Sequence, residues 1–128
     1  MPSNREPSPP TILLVDDDLG FVVWLGQTLA SNGYLTVPAA GGQQAKQVME
    51  ELGIKICLAI VNLALPGVSD LVEMLQQRDP SIKVIAIRVT GSGITPTTKI
   101  DAAHSRSQSG WLGMVRQILG NGRAANAR

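Results

Sequence analysis

Polar side chains that could do chemistry stand at the ends of three apolar runs. Thr11-Ile12-Leu13-Leu14-Val15 stops abruptly at Asp16-Asp17-Asp18, Leu58-Ala59-Ile60-Val61 leads into Asn62, and Lys83–Val89 carries Arg88 near its end. Adjacent carboxylates raise one another's pKa, so they persist where a cation offsets the repulsion. A hard divalent ion such as Mg²⁺ takes one or two carboxylates together with carbonyl and water oxygens. The plainer alternative is that Asp18 caps a helix while Asp16 or Asp17 faces water. Arg88 offers a second cation, because its planar fork of donors matches a carboxylate of Asp16 or Asp17; the alternative is an arginine that snorkels to solvent. Asn62 is neutral. A carboxamide could bond the same acids through its amide hydrogens, but it is no anionic nucleophile.

The elements that must position these groups follow from periodicity. A short apolar run without alternation suits a strand buried on both faces of a parallel sheet. The carboxyl ends of such strands form the ligand crevice. Ile54–Val61 is read as the central strand, with Pro66-Gly67 turning the chain after it. Leu19–Asn32 reads as a helix with Phe21, Trp24, Leu25, Thr28 and Leu29 on one buried stripe, Asp18 as N-cap and Gly33 as its stop. Val22 and Val23 fall off that stripe and hint at a contact surface. Tyr34–Ala39 is a second strand and Gln43–Leu52 a second helix, with Ala45, Val48, Met49 and Leu52 inward and Gly53 at its end. Asp70–Arg78 is a third helix stopped by Asp79-Pro80. Thr90–Thr98 has no apolar periodicity where a further helix would fall; Lys99–His104 is a weak fifth strand, and Trp111–Leu119 the last helix, with Trp111 in its core stripe. Strands alternating with helices at short loops imply a five-stranded parallel α/β sheet with right-handed crossovers and a fourth helix short or missing.

Composition limits what such a fold could do. At 128 residues the chain makes one domain: 1–10 a Pro-rich disordered arm, 11–119 the folded unit, 120–128 a flexible tail. With four aromatic residues, the core must be built from Val, Leu, Ile and Ala. Net charge is +1, with nine acids and four bases in residues 1–80 against one acid and seven bases in 81–128. Neither this balance nor any helix-turn-helix pattern argues for nucleic acid. No stretch approaches a membrane span or a signal peptide, so a cytoplasmic location is the expectation. Cys57, alone of its kind, rules out a disulfide framework and reads as a small buried hydrophobe. His104 and Ser105, Ser107 and Ser109 form no nucleophile–base set.

Ile12–Asp18, Gly33-Tyr34 before a strand, Ala39-Ala40-Gly41-Gly42 before a helix, and Leu58-Ala59-Ile60-Val61-x-Leu63-x-Leu65-Pro66-Gly67 resemble the receiver domain of two-component response regulators, in order and spacing, over roughly residues 11–89. The resemblance implies a doubly wound, flavodoxin-like (CheY-like) fold of strand order 2-1-3-4-5. It also implies an acidic pair binding Mg²⁺, an aspartate on the third strand that takes phosphate from a histidine kinase, a Ser or Thr on the fourth strand, and a Lys-Pro on the fifth. Asp16 and Asp17 fall on the acidic pair, and the Ala64 carbonyl where the family offers a backbone metal ligand. The acceptor position holds Asn62; the switch position holds Arg88, with Thr90 as a substitute. No Lys-Pro lies between residues 99 and 110, where Lys99, His104 and Arg106 fit poorly. The expectation is a pseudo-receiver, not an enzyme and needing no cofactor. It would signal by contact with a kinase, an effector or a second copy through the 90–98 loop, Trp111 and Arg116. An alternative keeps Mg²⁺ at Asp16, Asp17 and Ala64, or moves phosphorylation to Asp16 or Asp17. A remote one is a Mg²⁺-dependent phosphatase of the haloacid dehalogenase type, whose first motif Asp16-x-Asp18 mimics, although Leu19-Gly20 replaces the usual Gly-Thr.

Overall fold

The two runs richest in unbroken apolar residues lie at the middle of the sheet. Strands β1 (Thr11–Val15) and β3 (Leu58–Asn62) are buried at every position and pair in parallel, Ile12 opposite Leu58 through Val15 opposite Val61. The computed structural model describes residues 9–87, 98–100 and 107–119. Two further full strands flank the central pair: β2 (Leu35–Ala39) beside β1 and β4 (Lys83–Ile87) beside β3. A three-residue β5 (Thr98–Ile100) pairs in parallel with β4, so the order is β2-β1-β3-β4-β5. The order reverses between β1 and β3, and the carboxyl ends of those two strands therefore border the crevice of an open α/β sheet.

Because successive strand residues point to opposite faces, each face collects its own core. Leu13, Val15, Ala59, Val61, Val84 and Ala86 meet helices α2 (Gly42–Leu52) and α3 (Val68–Arg78). Ile12, Leu14, Leu58, Ile60, Ile85 and Ile87 meet α1 (Leu19–Ala30) and α4 (Gln108–Leu119). With helices on both faces, the sheet is doubly wound. Trp111 of α4 is fully buried and packs on Phe21 of α1, ring centroids 5.8 Å apart.

Several local expectations need correction. Val22 is buried, because α1 packs on both the sheet and α4 and so covers a wider arc than one stripe; Val23 alone of the pair is exposed. Leu52 is 54 % exposed, since α2 ends there at Gly53 (φ 61°) and carries it clear of the sheet. Cys57 is half-buried. Helix α1 stops at Ala30, two residues short of the expected Asn32, and Gly33 follows with φ 95°. Helix α3 starts at Val68 rather than Asp70, and α4 at Gln108 rather than Trp111, with Ser107 Oγ accepting from the Gly110 N–H at 3.2 Å. Pro10 already belongs to the folded part, its carbonyl accepting from the Leu35 N–H at 2.9 Å. The rest of the expected arm before Pro9, the fourth-helix region 88–97, the extension of the fifth strand to His104 and the 120–128 tail lie outside the described residues.

Candidate functional site

The crevice is built by the residues that follow β1 and end β3. The Asp16 N–H donates to the Ala39 carbonyl at 3.1 Å, which prolongs the β1–β2 pairing by one residue and holds Asp16 at the sheet's carboxyl edge. Its side chain is 1 % exposed. The next residue, Asp17, is exposed. Asp18 serves the helix, its Oδ1 accepting from the Phe21 N–H at 3.1 Å, and so the second acid of the Asp16-x-Asp18 pattern is an N-cap.

Asn62, 3 % exposed, reaches Asp16 across the β1–β3 pairing. Its Nδ2 donates to Asp16 Oδ1 at 3.3 Å, and its Oδ1 accepts from the Ala64 N–H at 2.9 Å. Asp16 Oδ1 also accepts from the Asp18 N–H at 3.1 Å. The orientation of the amide follows from this network, because only nitrogen toward the carboxylate and oxygen toward the peptide N–H satisfies both neighbours. A carboxylate at position 62 could still accept from Ala64 but would set a second negative oxygen against Asp16.

The same geometry tests the donor set for a divalent ion. Asp16 Oδ1 is turned to two N–H donors, and the single side-chain oxygen of Asn62 is turned to a third. What remains on these residues is the second carboxylate oxygen of Asp16, Oδ2, buried beside it, with the exposed Asp17 carboxylate and the Ala64 carbonyl. Among the described residues no group of three or more His, Cys, Asp or Glu could hold a metal ion. A Mg²⁺ ion demands near-ideal octahedral oxygen geometry, and an amide N–H directed into the corner opposes a cation. As arranged, Asn62 offers no oxygen to such an ion, which would rest on Asp16 Oδ2, Asp17 and the Ala64 carbonyl.

Asp16 and Asn62 are brought together; Asp17 and Ala64 flank them. Arg88, Thr90, the 90–98 loop, His104 and Arg106 lie outside the described residues, and Lys99 is placed in β5 by its backbone. Trp111 does not belong to a contact zone, since it is fully buried between α4 and the sheet. Arg116 is exposed and donates to Asn32 Oδ1 at 3.2 Å. The Asn62–Ala64 bond went unread in the sequence, yet asparagine bonding the backbone two residues on is a known turn signal. Far from the crevice, Asp79 is held below the ordinary aspartate pKa by the Ser81 hydroxyl at 2.6 Å and the Ser81 N–H at 3.1 Å. It borders a cavity of about 380 Å³ among Met49, Ile56, Leu75 and Ile82 that no local sequence pattern announces.

The fold is that of CheY-like response-regulator receiver domains. A response regulator receiver protein from Sinorhizobium medicae superposes with a TM-score of 0.72 at 18% identity, over 86% of this chain and 94% of that one. CheY4 of Vibrio cholerae gives 0.70 at 16% identity, over 86% and 98%. The signal receiver domain of an HD domain-containing protein from Pseudomonas fluorescens gives 0.69 at 24% identity, over 88% of each. In sequence, 79 residues are 32% identical to the sensor kinase CckA of Brucella abortus; they make up 60% of this chain and span only 8% of that protein's length. No family model matches the chain. Among the described residues no helix is long and apolar enough to cross a membrane.

Proposed function

We propose that this chain is a receiver-type signalling module of a two-component system that works without aspartyl phosphorylation, through contacts with protein partners such as a kinase or an effector. The observation that carries the reading is Asn62. It stands at the end of β3, where the resemblance puts the phosphate-accepting aspartate, and both ends of its amide are occupied, by Asp16 and by Ala64. A neutral carboxamide does not attack phosphorus, and phosphoryl transfer relies on charge neutralisation at the transferred oxygens. The corner is thereby held in one state by a neutral bridge, in place of a charged pair and a cation. In this reading the module is not an enzyme and requires no cofactor.

The experiment is incubation of the full chain with a small phosphodonor and Mg²⁺, followed by intact-mass measurement. The expected result is no phosphoryl gain by the wild type. A gain lost on Asn62→Ala would overturn the reading. A gain that survives Asn62→Ala would instead favour phosphorylation at Asp17, which is exposed at the crevice mouth, or at Asp16.

A further inference from the structure

From Leu19 to Ala45 the chain runs 27 residues without an Asp, Glu, Lys, Arg or His. This stretch is not interior. It includes α1, which covers one face of the sheet, and β2, which forms its edge. Soluble proteins ordinarily place charges on outer helices and edge strands, where they keep chains apart. At spacings of four, three and four, Leu19, Val23, Gly26 and Ala30 fall along one flank of α1, the last three bordering β2. Leu19 is 66 % and Val23 55 % exposed. Beside Val23 a groove of about 310 Å³ opens between α1 and β2, bordered by Gly26, Ala30, Thr36 and Pro38. Gly26 keeps the groove open, because a Cβ there would lie 3.6 Å from both Leu14 Cδ1 and Thr36 Oγ1. The face is therefore bulky in its first half and hollow in its second.

We propose that a second copy of this chain docks on this face, the two α1 helices running antiparallel about a two-fold axis between Trp24 and Leu25. Leu19 then meets Ala30 of the partner subunit, and Val23 meets Gly26 of the partner subunit. Each large side chain faces a small one and enters the opposite groove. Charge selects the occupant. A surface bearing Lys, Arg, Asp or Glu would have to bury an unpaired charge here, whereas the same uncharged stretch of a second copy complements the face and sets no like charges together across the axis. The inference goes beyond the proposed function and uses none of the residues of the acidic corner.

Sedimentation equilibrium of the full chain, from micromolar to millimolar concentration, tests it. The mass of the 13.5 kDa chain should rise toward twice that value with concentration. Leu19→Glu and Ala30→Lys, at exposed positions and checked for folding by thermal melts, should each weaken the dimer by about tenfold or more. Mixing the two variants should restore it, since the introduced acid and base face each other. Leu52→Glu, on an exposed site of α2, should leave it unchanged. A wild type that stays monomeric throughout, a dimer that neither variant weakens, or a mixture that fails to recover would overturn the proposal.

Discussion

At Asn62 one nitrogen in place of an oxygen decides what the corner can hold. Its two hydrogen bonds join Asp16, buried at the end of β1 and 46 residues before Asn62 in sequence, to the backbone after β3. Asn62→Ala removes a donor from a buried carboxylate and should destabilise the fold by about 1–3 kcal/mol in denaturant unfolding. Asn62→Asp is the more telling change. It sets a carboxylate oxygen where Nδ2 now lies 3.3 Å from Asp16 Oδ1, so protonation of the pair is favoured and its folded-state pKa rises. By linkage, that variant's stability relative to wild type should be greatest in acid and fall as the pH rises through the raised pKa toward neutrality. Added Mg²⁺ should raise the melting temperature of Asn62→Asp and leave that of the wild type unmoved. Asn62 and Asp16 were both legible in the sequence, because each interrupts an apolar run. Their mutual bond was not, since it depends on which strands are neighbours.

Elements were legible to the degree that their signals were local. Strands β1 and β3 declared themselves by unbroken apolar runs, although β3 spans Leu58–Asn62 and not the expected Ile54–Val61, because Lys55 interrupts the run before Leu58. Helix α1 declared itself by its cap, and Asp18→Ala should cost about 1 kcal/mol of stability. The start of α3 was misread because its N-cap, Gly67 at φ 80°, has no side chain to announce it. That glycine has a second partner. A Cβ added to Gly42 at the start of α2 would strike the Gly67 carbonyl and come within 2.9 Å of the Val68 nitrogen. The first turns of α2 and α3 thus meet backbone to backbone. Gly42→Ala should force them apart and lower stability by about 1–3 kcal/mol, the range for overpacking, with a matching fall in the urea midpoint. Val22 shows the limit of a single-stripe reading, since a helix packed on two neighbours buries more than one row.

For the whole molecule, the alternation of strands and helices was enough to anticipate a doubly wound sheet in which β1 and β3 border the crevice. The sequence also marked Trp111 as core, and the structure places it where α4 is tied to α1 and the sheet. Trp111→Ala should cost about 3–5 kcal/mol, enough to release α4 while the sheet below it stays paired; amide exchange along Gln108–Leu119 would register the loss. The outer edge of β2 has a consequence of its own. The Leu35 N–H and the Ala39 carbonyl both point toward β1, so by the pleat Thr36 and Pro38 present their backbone outward. Proline has no N–H to offer there. An incoming strand would meet a broken ladder at this edge, so a copy that docks along β2 does so through side chains, and this edge is a poor template for fibrils.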